Sequence, residues 1–303
     1  MHVEEQEILD IAAALEQERQ QMESELERYL PAEGEYPERI HEAIRYSALG
    51  GGKRLRPIMA LAAARALGQD GGRVIKAACS VEYVHCCSLV LDDLPSMDDA
   101  AMRRGRPTAH RQFGVATAIL AADALLMHAF KLVADNGVDV GADGPMVAAA
   151  VRDLATAVGS FGMVGGQHVD LEVAGRTSVD TDTLEYILTR KTGALFIVAA
   201  TLGGTLLGAA PGGLAALEEY AGSLGLAYQI VDDILDAEGE ADAVGKDVRQ
   251  DVDKASFVTV HGVDAAREKA HRLISQAQEA LAGLDGDTTL LDSIAAYCLD
   301  RSH

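Results

Sequence analysis

The chain has 303 residues, 49% of them hydrophobic, which is ample for a large buried core in one big domain or two ordinary ones. Its 47 Asp and Glu against 26 Lys and Arg give a net charge of −21, a balance that argues against nucleic acid and anionic lipid as partners. It argues against an anionic substrate too, unless metal ions or a local basic cluster reverse the sign.

Helical signals dominate: Ala and Leu are abundant, β-branched alternation is scarce and Trp is absent. Residues 5–30 read as an amphipathic helix ending at Pro31, and 37–49 as a second, stopped by Gly50-Gly51-Gly52. Pro57 suits the first turn of a third helix running to about Leu67 and closed by Gly68. A long apolar helix covers 73–93, and further helical runs cover roughly 114–134, 145–173, 180–207, 212–236, 263–283 and 287–299. The breaks are short, with no linker, low-complexity tract or fixed-period repeat, so one all-α domain over 1–303 is the economical reading, with two packed helical domains as the alternative. Most runs are apolar on more than one face, as in a bundle whose central helices are fully buried.

Cys79, Cys86, Cys87 and Cys298 show no zinc-type spacing and read as buried, reduced thiols. The acidic start, Met1 to Glu5, has no apolar signal core, so a cytoplasmic location is expected. No stretch reaches the ~18 unbroken apolar residues of a membrane span. The run from Ala194 to Ala210 comes nearest but contains Thr201, Gly203, Gly204 and Thr205, so no transmembrane segment is expected.

Charges within such helices need a reason. Asp92-Asp93-Leu94-Pro95-Ser96-Met97-Asp98-Asp99 follows the apolar Ser88–Leu91, and Asp232-Asp233-Ile234-Leu235-Asp236 follows Leu224–Val231. Asp232 and Asp236 fall about 40° apart on one helix face, where like charges repel unless a cation lies between them. In the first cluster Pro95 breaks the helix, which lets the chain loop and bring Asp98 back beside Asp92. Oxygen donors without His or Cys favour hard ions, above all Mg²⁺ completed by water and substrate phosphate. The plain alternative is a pair of solvated acidic helix ends.

The scarce cations cluster as well. Gly50-Gly51-Gly52-Lys53-Arg54-Leu55-Arg56-Pro57 stands at a loop-to-helix junction, a plausible anion site, and Arg103-Arg104-Gly105-Arg106 follows the first acidic cluster. Each alone reads more readily as a set of surface salt-bridge partners than as a substrate site; with the acidic clusters, the phosphate reading prevails.

Taken together these motifs resemble the trans-isoprenyl diphosphate synthases. Asp92–Asp98 with Arg103–Thr108 is similar to that family's first aspartate-rich motif in its bacterial and plant short-chain form, and Asp232–Asp236 to its second. Gly51–Pro57, Gly165-Gly166-Gln167 through Asp170, Lys191-Thr192-Gly193 and Gln229 fall in the family's order, so the match spans about residues 40 to 260. The resemblance implies an all-α fold around a deep central cavity, usually as a homodimer. It implies Mg²⁺, three ions with the allylic diphosphate, held by Asp92, Asp98 and Asp232, with Asp93, Asp233 and Asp236 supporting or ligating. Arg103 would grip the allylic diphosphate; Lys53, Arg56, His85 and Arg104 would bind isopentenyl diphosphate. Lys191, Thr192 and Gln229 would sit beside the allylic carbon, and Lys246 would reach its diphosphate. His85 alone reads equally as a core histidine. The segment Gly245–Ala255 departs from the commoner form, which has more glycines and a following Pro, and leaves Lys254 without an assigned role.

The helix before the first motif should wall the chain-elongation pocket. Cys87, five residues before Asp92, is small where fifteen-carbon enzymes often carry an aromatic residue, and Tyr83 one turn earlier is expected to form the floor. Geranylgeranyl diphosphate is the expected product, farnesyl diphosphate the close alternative. The alternatives of other classes are a terpene cyclase, which would need no isopentenyl site, and a non-catalytic subunit, which would be expected to have lost an aspartate or arginine; the residues present argue against both.

Overall fold

The structure, a computed structural model, describes residues 2–176, 179–242 and 256–300. It is helical almost throughout, in the order α1 His2–Arg28, α2 Glu38–Ala48, α3 Leu55–Ala66, α4 Ile75–Asp92, α5 Ala109–Phe113, α6 Val115–Val140, α7 Gly144–Val158, α8 Met163–Val173, α9 Thr181–Ile187, α10 Ala194–Leu206, α11 Pro211–Asp242, α12 Phe257–His261, α13 Val263–Leu281 and α14 Thr289–Asp300. The all-α expectation is met.

Helix α10 sits at the centre. Ten of its thirteen residues are buried, and it packs against α3, α4, α7 and α11. That is the all-round apolar pattern of a central bundle helix. Close approach needs small residues: Gly203 faces Val74, and Gly225 of α11 faces Gly193 and Phe196. Helix α4 lies against α6 and α3. Its start is capped from a distance, because the buried Asn136 of α6 accepts from the Ala77 N–H and donates to the Arg73 carbonyl, both at 2.8 Å. This satisfies backbone groups that a buried helix end would otherwise leave unpaired.

Three differences from the sequence reading have local causes. The run 145–173 is two helices, because α8 restarts against the last turn of α7, where a Cβ on Gly162 would strike the Ala157 carbonyl. The run 180–207 is interrupted by a π-turn, Leu188–Gly193. After the first acidic cluster comes a small antiparallel hairpin, β1 Met102–Arg103 and β2 Arg106–Pro107. Its central Arg104 and Gly105 both have positive φ, 52° and 73°, as a two-residue hairpin turn of the favoured hand requires.

Three helical stretches, Gly71–Asp92, Val115–Val140 and Gly144–Val173, are long and apolar enough to cross a membrane, which the test for an unbroken run does not detect. The first directs its apolar residues inward, with 67% of its most apolar window buried. The four cysteines are buried, in line with the expectation.

Candidate active site

Helix α4 ends at Asp92, and the chain turns at once: the Asp98 N–H donates to the Asp92 carbonyl at 2.9 Å. The loop permitted by Pro95 thus brings the third aspartate back to the first. Burial, together with the charges of Asp98 and Asp93, pushes the Asp92 carboxyl up to about 6, partly offset by Lys191 and Arg103. Asp93 is buried and accepts from Arg103 at 2.6 and 3.0 Å. Burial lowers the Arg103 guanidinium, but the hydrogen bond and charge of Asp93 raise it overall.

The end of α4 and the middle of α11 open on one cavity of about 680 Å³. Asp92, Arg103, Lys191, Thr192, Gln229 and Asp232 line its polar part. Cys87, Ser88, Leu91, Leu126, Val158 and Leu195 line an apolar part. Asp98 and Asp236 are exposed and stand outside this lining.

The π-turn explains how neighbouring Lys191 and Thr192 both face the cavity. An extra residue in the turn shifts the side-chain register, a device common at functional sites. Lys191 Nζ donates to Asp170 Oδ2 at 2.6 Å. The Thr192 hydroxyl donates to Gln229 Oε1 at 3.1 Å, and Gln229 Nε2 donates to Asp233 Oδ1 at 3.2 Å. The Phe257 N–H, opening α12, donates to Asp233 Oδ2 at 3.0 Å. Burial pushes the Asp233 carboxyl up to about 6, despite these two donors.

Beside the polar part, Arg56 lies over the Phe196 ring, 4.4 Å from its centroid, with its buried Nε unpartnered. Burial lowers this guanidinium, because desolvation disfavours the charged form. His85 lines the same cavity; burial, then the charge of Arg56, hold it well below the usual imidazole range, so it is neutral at pH 7. Lys53 and Arg104 do not line this cavity. Lys53 Nζ is 5.9 Å from the Tyr297 ring centroid, and Arg104 packs over Gly52 and donates to the Gly51 carbonyl. Gly52, with φ of +130°, leaves no room there for a Cβ. Lys246 lies outside the described residues, as does Lys254.

Tyr83 is not the floor. It is fully buried, its hydroxyl donates to the Leu26 carbonyl of α1 at 2.7 Å, and it takes no part in the cavity wall. Positions four apart on a helix differ by about 40°, enough at this point to turn Tyr83 toward α1 while Cys87 faces the cavity. Tyr228 and Gln167 line the cavity; the sequence reading gave Tyr228 no role and placed Gln167 in a family motif without assigning it one. Tyr228 precedes Asp232 by four positions, a helical repeat that could have identified it; Gln167 Oε1 is buried without a partner.

The residues 37–285 match the family model described as polyprenyl synthetase. The chain belongs to that family. Over 299 residues it is 40% identical to the farnesyl diphosphate synthase of Geobacillus stearothermophilus, covering 97% of this chain and 99% of the relative. It is also 40% identical to the chloroplastic geranylgeranyl pyrophosphate synthase of Capsicum annuum over 251 residues, 82% of this chain and 68% of the relative. The crystal structure of an FPP/GFPP synthase from Zymomonas mobilis superposes with a TM-score of 0.84 at 33% identity, covering 96% of this chain and 99% of that one. The protein is therefore a prenyltransferase of the short-chain type.

The donors suit a hard divalent ion: carboxylates only, with Asp92 and Asp233 raised first by burial and then by neighbouring carboxylates. Among the described residues no three His, Cys, Asp or Glu side chains form a ready-made metal cage.

Proposed function

We propose that this prenyltransferase condenses isopentenyl diphosphate with allylic diphosphates to give geranylgeranyl diphosphate, as a single catalytic domain. The observation that carries this reading is one cavity joining Asp92 and Asp232, the cations Arg56, Arg103 and Lys191, and a long apolar wall. Asp92, Asp98 and Asp232 hold Mg²⁺, in three ions, while Asp93 and Asp233 orient Arg103 and Gln229 from behind, and Asp236 supports from the next turn of α11. Bound Mg²⁺ supplies positive charge to the departing diphosphate.

The protein's own groups divide the remaining work. Arg103 grips the allylic diphosphate, with Lys246 as its second contact. Lys53, Arg56, His85 and Arg104 bind isopentenyl diphosphate; neutral His85 donates or accepts without adding charge. Lys191 faces the carbon from which the diphosphate leaves, and the Thr192 hydroxyl and Gln229 amide present fixed dipoles to the allylic cation that forms. The isopentenyl double bond attacks that cation, and a proton then passes to the departed diphosphate. The apolar wall excludes water that would quench the cation.

Cys87, Ser88 and Leu126 leave the apolar part open, which supports a twenty-carbon product over the fifteen-carbon alternative. The outward apolar residues Val115, Ile119, Leu120 and Met127 of α6 support a homodimer joined along that helix. A cytoplasmic location without a membrane span completes the reading.

Purified protein with Mg²⁺, labelled isopentenyl diphosphate and dimethylallyl, geranyl or farnesyl diphosphate in turn tests it. A twenty-carbon product from all three is expected. Accumulation at fifteen carbons, with farnesyl diphosphate refused, would give the alternative; no condensation would overturn the reading.

A further inference from the structure

The basic cluster at the α3 start contains one cation that faces neither the cavity nor solvent. The Arg54 side chain is 0% exposed, and its guanidinium is used on every side. Nη1 donates to Glu82 at 2.5 Å, Nη2 to the Ala48 carbonyl at 2.8 Å, and Nε and Nη2 to Glu23 at 2.9 and 3.1 Å. One side chain thus ties α1, the end of α2, the start of α3 and the middle of α4. Its backbone is left-handed, with φ of 51°, a conformation that a non-glycine residue keeps only where its surroundings over-determine it.

The tie stands between groups assigned to isopentenyl diphosphate. Arg54 follows Lys53 directly and precedes Arg56 by two positions. Glu82 precedes His85 by three, one helical turn. Arg56 Nε is buried without a hydrogen-bond partner among the described residues, so the side chain depends on its surroundings for direction. Apolar residues of similar size could hold four segments together at least as firmly, because burying two charges is unfavourable in itself. What a planar guanidinium held by two carboxylates adds is a fixed orientation.

We propose that the buried Arg54–Glu82 pair, seated on Glu23, is a positioning device: it sets the Gly51–Arg56 loop against His85 of α4 and so pre-forms the isopentenyl diphosphate end of the cavity. The inference rests on the assignment of Lys53, Arg56 and His85 to that substrate. Arg54 and Glu82 touch no substrate; they act through the residues beside them. Helix α1, through Glu23, becomes part of the same device.

Steady-state kinetics separate positioning from mere stapling. Glu82→Gln keeps the shape and removes the charge. It is expected to raise KM for isopentenyl diphosphate about tenfold or more, with kcat and the allylic KM within about threefold of wild type, the signature of lost uniform binding of one substrate. Arg54→Lys, which keeps the charge but loses the fork, is expected to give the same split and serves as the measurement if Glu82→Gln does not fold. A lowered Tm with the ratio of the two KM values unchanged in both variants would overturn the proposal and leave a structural staple. Lys53→Ala and Arg56→Ala test the underlying assignment. If they weaken isopentenyl diphosphate while Glu82→Gln and Arg54→Lys do not, the positioning idea alone fails. If Lys53→Ala and Arg56→Ala leave that KM unchanged, the assignment fails, and the proposal with it.

Discussion

Lys191 Nζ lies 2.6 Å from Asp170 Oδ2, while its charge also acts on Asp92 across the cavity. Both ends of the Lys191–Asp170 pair are partly exposed, at 33% and 25%, so the pair contributes at most about 1 kcal/mol to stability. Its consequence is direction. Held by Asp170, the ammonium stays off the carboxylate proposed to take up Mg²⁺. In Asp170→Asn it is free to pair with Asp92 and compete with the metal. The half-saturating Mg²⁺ concentration is expected to rise several-fold, with urea unfolding shifted by less than about 1 kcal/mol. An unchanged Mg²⁺ dependence together with a large stability loss would make the pair structural.

Burial and crowding give a second prediction, in pH. The Asp92 carboxyl rises from 3.8 to about 6 in the folded protein. The folded state therefore binds the proton more tightly than the unfolded chain, and this group lowers stability as pH rises from about 4 through about 6. Asp233, also raised to about 6, acts in the same sense. Asp92→Asn removes one such contribution. Without metal, the Tm of the variant should match wild type near pH 4 and exceed it at pH 7. Mg²⁺ added with a diphosphate at pH 7 should raise the wild-type Tm and leave the variant nearly unmoved. A difference independent of pH would mean that Asp92 is not held this way.

The wall of the cavity separates two tyrosine experiments. Cys87→Tyr places a ring in the apolar part and should shorten the product. Tyr83→Ala removes a fully buried ring and its hydrogen bond to Leu26, with an expected loss of about 3–5 kcal/mol and no change in product length. Product chromatography and denaturant unfolding on the same preparations check both. A longer product from Tyr83→Ala would restore that residue to the floor.

The contrast shows what a sequence displays and what it hides. The aspartates were legible because charge at the end of an apolar helix is anomalous, and because Pro95 announces the loop that returns Asp98 to Asp92. Arg54 was legible only as one more cation in a basic cluster. Its partners Glu23 and Glu82 lie 31 and 28 residues away, and no local pattern links them. The π-turn left no sign in composition, since a one-residue shift of hydrogen bonding needs no special residue type. The break at 159–162 carries Gly159 and Gly162 directly after an Ala-rich run, and glycines within an apolar stretch do not by themselves show that the helix ends there; the close contact of Gly162 with the Ala157 carbonyl does. Tyr83 failed at the scale of 40°, finer than a face assignment resolves.

Gly166 offers the sharpest test of how the π-turn is held. A Cβ there would collide with the backbone nitrogen and Cα of Lys191, so α8 and the π-turn touch through a glycine. The colliding atoms are main chain and cannot swing aside; Ala at this position must push α8 away or re-register the turn that presents Lys191 and Thr192. Gly166→Ala is expected to destabilise by about 1–3 kcal/mol, as overpacking does, and to lower kcat about tenfold or more with little change in either KM. Gly212→Ala in α11 is the control, since a Cβ there meets nothing within 4 Å. It should be neutral or add up to about 1 kcal/mol of stability, with unchanged kinetics. If Gly166→Ala lowers stability but leaves kcat intact, the π-turn tolerates displacement and the placement of Lys191 and Thr192 does not depend on α8. If kcat falls while stability holds, the contact acts on the register of those two side chains and not on the packing of the bundle.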